Sequence, residues 1–318
     1  MIRNPIPWPN GAKCAACVTF DMDADSLVHI AHPTDGHSRV SAISMLQYGP
    51  NVAIPRIVES YRQLGIKQTF FIPAWCIERY PEAVEAILQG GHEIAHHGFL
   101  HEHPRELSDK DEAHWLDRGI EVIVKATGQR PRGWRAPLYN FSHRSADLLA
   151  KRGFTYDASL MGDDQPYLLE SAKGRLVELP SHWGLDDWPQ YVQSMDLDYM
   201  MPIRAPEQGL LPFVQEFEAA YAHGGLWVPV VHPFATGRLA RWHHWHRFLE
   251  TAVARGDVWF APMEEIAAHV QLLVATGRWT PRIDRLPYYD APVRVDQGED
   301  RAGEARNTTR GRRVKKGG

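Results

Sequence analysis

Cysteine is scarce: Cys14, Cys17 and Cys76 are all that the 318 residues contain. Three are too few for a disulfide framework in a chain of this size. Cys14 and Cys17 have the spacing of a redox motif, but no second Cys-x-x-Cys completes a zinc site. The pair runs into Val-Thr-Phe-Asp, so it reads as the start of a buried strand in which cysteine serves as a small apolar residue. Long hydrophobic runs are missing too. No stretch approaches about 18 apolar residues, so no membrane span is expected. The opening MIRNPIPWPNG lacks the apolar core of a signal peptide, and a cytoplasmic protein is expected. Nor is there an excess of one charge: the net value of −4 gives no reason to expect nucleic acid or an anionic membrane as partner. Only residues 301–318 depart, with seven Lys/Arg against one Glu, and they read as a disordered, solvated tail. No internal repeat is visible.

What is present is an ordinary globular composition, 44% hydrophobic and 23% charged, in a chain long enough to bury a sizeable core. Strand-like stretches at 15–23, 67–75, 92–97, 132–140, 176–183, 226–233 and 258–262 alternate with helical patterns. The latter lie at 51–66, 80–91, 108–128, 142–153, 209–223, 243–255 and 263–276. Such alternation without a linker predicts one α/β domain over residues 1–300, with a largely parallel sheet or barrel. Residues 24–50 read as a loop-like insertion, long for a compact domain and therefore a lid or an interface. Chemistry in these folds sits at the carboxyl ends of strands. Asp21, Asp23, a histidine cluster, Arg135, Asp186, Asp187 and His232 all fall at such ends.

The cluster HEIAHHGFLHEHP (92–104) holds five of the chain's 17 histidines. His92 with His96, and His97 with His101, are spaced i, i+4. One helical turn would point both imidazoles of a pair the same way, which suits two ligands of a divalent metal. Each histidine taken alone is equally a cap, a surface group or a satisfied core residue, and at this point both readings stand.

Five segments, in order from about residue 15 to 270, resemble the polysaccharide deacetylase (NodB-homology) metal hydrolases. They are TFDMDADS, HHGFLHEHP preceded by GHEI, RAPLYNFS, ELPSHWGLDDWP and VVHP. The resemblance implies a distorted (β/α) barrel in which Asp23, His97 and His101 bind a divalent metal. One carboxylate and two imidazoles leave an open position for water; zinc is the default, with Co, Ni, Mn or Fe also compatible. His96 competes as a ligand, but its i+4 partner is Leu100, and His92 begins a strand, so both are expected to position neighbours. Asp21 is implied as general base, with a second metal ligand as the alternative. It lies two residues before Asp23, on the same face of an extended strand end. His232 resembles a general acid, oriented by Asp187 or Asp186. Arg135 would bind Asp21 or the substrate. Tyr139, Trp183 and Trp188 would be pocket walls or ordinary core. The reaction implied is metal-assisted hydrolysis of a carbon–nitrogen amide bond.

The first motif departs from the family's usual Asp-Asp-Gly, since Asp21-Met22-Asp23 is followed by Ala24 and Asp25. That pattern is similar to a cytoplasmic branch containing peptidoglycan-deacetylase-like and cyclic-imide hydrolases. There, insertions such as 24–50 cover the pocket and build homotetramers, so a homo-oligomer is expected. The substrate expected first is a small cyclic imide or related amide, with an N-acetylated glycan such as peptidoglycan as the alternative. Allantoinase-like members tend to replace the aspartates that this chain keeps. A non-catalytic metal or carbohydrate-binding protein is the reading from a different class, and the full set of motif residues argues against it.

Overall fold

The strands of the computed structural model are short, and those at the centre of the main sheet are buried, as parallel strands covered on both faces must be. In chain order they are β1 (Cys14–Ala16), β2 (Thr19–Asp21), β3 (Thr69–Ile72), β4 (Glu93–His96), β5 (Gly133–Trp134), β6 (Tyr156–Asp157) and β7 (Tyr167–Ser171). Then come β8 (Gly174–Glu178), β9 (Gln193–Ser194), β10 (Tyr199–Met200), β11 (Leu226–Trp227), β12 (Val230–Val231), β13 (Val258–Phe260) and β14 (Ile283–Arg285). The structure describes residues 2–293, so the tail expected at 301–318 and the domain end expected at 300 lie outside the described residues. Contacts divide the chain into Met1–Leu286, which carries everything below, and Pro287–Gly318.

The main sheet runs β12-β2-β3-β4-β5-β6-β8-β7-β14, and a smaller one runs β11-β1-β13. In both sheets every pairing is parallel except the β7–β8 hairpin. β1 and β2 lie one after the other along β11 and β12, so the two sheets share a seam. A single parallel bridge, Asp186 to Val230, brings the segment after β8 back to β12. The result is a distorted β/α barrel, as the resemblance implies, whose ladder does not run unbroken around the ring.

Alternation along the strands decides which side chains enter the barrel. Ala15, Cys17, Phe71, Ala95, Val177 and Val228 pack together in one cluster with the helix Met263–Ala275. Their neighbours Val18, Phe20, Phe70, Ile72 and Ile94 pack outward with the helices Ile54–Leu64, Pro206–His223 and Leu239–Val253. The two cysteines of the redox-like spacing are free and buried, and burial pushes both thiols up to about 12, so the packing reading holds.

The helix Asp109–Thr127, within the stretch 108–128 expected as helical, starts where Ser108 Oγ accepts the Asp111 N–H and ends at Gly128 with φ +75°. It buries Leu116, Ile120 and Ile123 along one stripe; burying each such side chain contributes roughly 1.5–3 kcal/mol. Residues 24–50, in contrast, are not loop-like. Asp23 O accepts the Ser26 N–H and begins the helix Ser26–Ala31, and a second helix, Val40–Tyr48, follows. Asp25 anchors the insertion by accepting from Tyr80 Oη and, at 3.0 Å, from Gln47 Nε2. Arg39 and His32 tie it to Asp196 in the turn between β9 and β10.

Candidate active site

Period-2 alternation sends Phe20 and Met22 outward and leaves Asp21 and Asp23 facing the barrel mouth. The same parity on β4 separates the adjacent histidines. His96 points outward, buried against the helix Asp109–Thr127, with Nε2 3.1 Å from Leu116 O and Nδ1 accepting Gly98 N–H at 3.0 Å. His97, the next residue, faces the aspartates. Its Nε2 lies 3.4 Å from Asp23 Oδ1 and 3.6 Å from Asp21 Oδ2, and His101 Nε2 lies 3.6 Å from Asp23 Oδ2.

The approach of His97 and His101 does not come from a helical turn. Residues 97–101 are irregular, and the chain reverses through left-handed backbone at Gly98 (φ +75°) and His101 (φ +69°). Glu102 holds this loop by accepting the N–H groups of Phe99 at 2.8 Å and Leu100 at 2.7 Å. Nothing in the sequence marked Glu102, because an acidic residue between histidines reads equally well as a solvated charge.

Asp23, His97 and His101 each offer a ligand atom, all within 4.8 Å of one another, and all three residues are buried. The donor set fits a divalent cation on electrostatic grounds. His97 Nδ1 stands 2.8 Å from Arg135 O, a carbonyl that can only accept, so Nδ1 carries the hydrogen and in the neutral imidazole Nε2 presents a lone pair to Asp23 and Asp21. Asp23 Oδ1 is buried without a hydrogen-bond donor. Acceptors facing one another out of water call for positive charge between them, which a proton or a divalent ion can supply. The ionisation pattern reflects the same need. Burial opposes charge on Asp23, yet the imidazoles of His101, His232 and His97 outweigh it and hold the carboxyl well below its usual range. Burial likewise opposes charge on His97, but Asp21 and Asp23 overcome it and raise the imidazole. At His101 burial wins and pushes it down to about 3.

Arg135 is fully buried; its Nη1 binds Asp21 Oδ1 at 2.5 Å and its Nε binds Ala158 O at 3.1 Å. That clamp leaves Asp21 Oδ2 for the site. On another wall, His232 Nδ1 lies 2.7 Å from Asp187 Oδ1, while Asp187 Oδ2 accepts His232 N–H and the Thr236 hydroxyl. Burial opposes charge on this imidazole, but Asp187 and Asp23 raise it well above the usual histidine range. Its Nε2 lies 3.4 Å from Asp23 Oδ2. Of the two carboxylates proposed to orient His232, the structure therefore selects Asp187.

Asp21, Asp23, His97, His101 and His232 line one cavity of about 490 Å³, with walls from Leu27, Leu138, Trp183, Trp188, Leu197 and Tyr199. Tyr139 and Asp186 complete it. Left-handed backbone recurs around it, at Ala24, His101, Leu138 and Tyr139. Such conformations cost about 1–3 kcal/mol each outside glycine and persist where the surroundings over-determine them. His92 has no place here: it packs against Tyr61 and Phe70, with Nδ1 accepting from Gln68 N.

The polysaccharide deacetylase family profile matches residues 37–156. The chain is 31% identical over 196 residues to a peptidoglycan deacetylase of Helicobacter pylori, covering 54% of this chain and 67% of that one. It is 34% identical over 182 residues to a peptidoglycan deacetylase-like protein of Gibberella zeae, covering 48% of this chain and 54% of the relative. A Mycobacterium smegmatis crystal structure, provisionally assigned as a polysaccharide deacetylase, superposes with a TM-score of 0.83 at 36% identity. It covers 93% of this chain and 99% of that one.

Proposed function

We propose, from the premise that the chain belongs to the polysaccharide deacetylase family, that it hydrolyses the amide of an N-acetylated amino sugar. The observation that carries this reading is a base and an acid beside one three-ligand cluster. Asp21 Oδ2 lies 3.6 Å from His97 Nε2, and His232 Nε2 lies 3.4 Å from Asp23 Oδ2. Asp23, His97 and His101 would hold a divalent ion, zinc by preference, which when bound polarises a carbonyl and acidifies water. Asp21, fixed through Oδ1 by Arg135, takes the proton of the attacking water on Oδ2. His232, kept charged by Asp187, delivers the Nε2 proton to the leaving nitrogen. Trp183, Trp188 and Leu138 keep bulk water from the reacting centre.

The names of the relatives favour an N-acetylated glycan over the cyclic imide expected first from the sequence. A specific observation keeps the ring amide as a second reading. The walls from Leu27, Leu138, Leu197 and the aromatic residues offer few partners for sugar hydroxyls, and a cavity of about 490 Å³ suits a compact ring. The test uses purified protein loaded in turn with zinc, cobalt, nickel, manganese or iron. Acetate release from N-acetylglucosamine oligomers or peptidoglycan supports the first reading. Opening of a five- or six-membered imide without acetate release moves the substrate to the second. Hydrolysis of neither overturns both.

A further inference from the structure

Asp186 takes no part in the proton transfers described above, yet it is 3% exposed and lines the cavity. Its neighbour Asp187 already orients His232, so a second carboxylate in that place needs another reason. Burying an ionisable group is costly unless its interactions compensate. Two donors fix it: Trp188 N–H binds Oδ1 at 2.8 Å and Tyr139 Oη binds Oδ2 at 2.7 Å. Tyr139 reaches it from a wall whose backbone is held left-handed at Leu138 (φ +51°) and Tyr139 (φ +53°). Strain of that kind is retained where it places a group. Burial pushes the Asp186 carboxyl up to about 6 against the pull of His232, so at pH 8 it is ionised and can only accept hydrogen bonds. A carboxylate has about four lone-pair sites, and two are in use.

One Asp186 oxygen lies within 4.8 Å of a His232 ring nitrogen and of an Asp187 oxygen. Asp186 and His232 line the same cavity, so an amide nitrogen seated there to receive the His232 Nε2 proton has the Asp186 carboxylate on an adjoining wall. Such a nitrogen becomes pyramidal after water attack, and its lone pair must face His232 for the carbon–nitrogen bond to break. Any hydrogen on it then points elsewhere, and against Leu27, Leu138, Trp183 or Leu197 it would be buried unpaired.

Building on the proposed hydrolysis, we infer that Asp186 is a specificity-determining residue. Its carboxylate accepts the N–H of the scissile amide and turns the nitrogen lone pair toward His232, so the site selects amides that carry hydrogen on nitrogen over N-alkylated ones. The step balances without any co-reactant: water adds to the carbonyl, the carbon–nitrogen bond breaks, His232 gives its proton to nitrogen, and the N–H accepted by Asp186 stays on the departing amine or ring nitrogen.

The test compares kcat/KM at pH 8 for matched N–H and N-methyl probes, in metal-loaded full-length wild type and in Asp186→Asn. The pairs are an N-acetylglucosamine trimer with its N-methylacetamido counterpart, and succinimide with N-methylsuccinimide. Wild type should prefer the N–H member on the order of 10–100-fold. Asp186→Asn removes the charge and replaces one of the two accepting oxygens with an NH2 donor, so the preference for the N–H over the N-methyl probe should fall by a similar factor. A preference that was merely steric would survive the substitution, and its survival would overturn the inference. Equal wild-type rates on both members of a pair would also overturn it, leaving the hydrolysis intact. Failure of wild type to turn over any of the four overturns the hydrolysis itself. Should Asp186→Asn not fold, Tyr139→Phe keeps the wall and removes only the hydroxyl that holds Asp186. It should lower the N–H preference, and an undiminished preference counts against the inference.

Discussion

Replacing Gly119 with alanine sets two physical effects of opposite sign against each other. Gly119 sits in the middle of the helix Asp109–Thr127, where alanine is the better helix former by about 1 kcal/mol. On propensity alone the variant should be more stable. A Cβ at this position, however, would stand 2.8 Å from Cε1 of His96 and closer still to its Nε2. The ring cannot swing aside freely, because it is wholly buried and held at both nitrogens, by Leu116 O and Gly98 N–H. Overpacking of this kind costs about 1–3 kcal/mol. Breaking the bond to Leu116 O strands a buried N–H at roughly another 1–3 kcal/mol. Subtracting the propensity gain leaves a destabilisation of about 1–5 kcal/mol. At roughly 2 °C per kcal/mol for a domain of this size, Tm should fall by about 2–10 °C. Urea unfolding and calorimetry of wild type and Gly119→Ala, at equal metal loading, measure it directly. A variant as stable as wild type or more so would refute the account of His96 as a locked structural side chain.

Other expectations are as direct. His101→Ala or Asp23→Ala should lose stoichiometric metal together with activity, and full metal occupancy in His101→Ala by elemental analysis would remove it from the ligand set. Asp21→Asn and His232→Ala should keep the metal while kcat drops about 10²–10⁴-fold; near wild-type turnover in either would cancel its role. Glu102→Ala should weaken metal binding on the order of 10–100-fold without removing a ligand, as loss of an orienting partner does, and competition with a chelator reads this. Glu93, which accepts from Thr69, Tyr156 and Glu264 N, is pushed up to about 7 by burial and by the Glu264 charge. Between the ordinary carboxyl value and about 7 the folded state holds more protons than the unfolded one. Its contribution is therefore complete below about 4.5 and lost as pH rises through 7, up to ~3 kcal/mol. Glu93→Gln should accordingly gain stability relative to wild type as pH climbs from 5 to 8, and a flat difference in urea midpoints would contradict the shift.

Much of this site was legible because its chemistry rides on strand parity. Asp21 and Asp23, two apart, had to share a face, and the alternation of buried strands with capped helices marked a parallel β/α fold. What the sequence hid falls into two kinds. The insertion 24–50 carries Pro, Gly and His in proportions that suggest irregular chain, but tertiary anchors at Asp25 and Arg39 make most of it helical. β7 and β14, neither of them expected, lie at the edge of the main sheet, and β14 is a short, largely exposed run with weak patterning. The other kind concerns adjacent pairs. His96 and His97, or Asp186 and Asp187, are chemically equivalent on paper, and only the direction of each Cβ separates them. That direction follows from parity in the strand. In the segment before Trp188 it depends on the hydrogen bonds from Trp188 N–H and His232 N–H, which no local pattern announces.

The loop geometry between His97 and His101 bears on anyone wishing to transplant this centre. A designer matching the spacing alone would place the two imidazoles one turn apart on a helix and obtain parallel rings. Here the rings meet at 74° with centroids 5.1 Å apart, after a chain reversal that Gly98 permits and Glu102 braces. The portable unit is thus the strand end, the reversal and its carboxylate brace together, with a glycine on the facing helix to admit the outward histidine. Grafting the two histidines without that scaffold would reproduce the spelling of the motif and miss its shape.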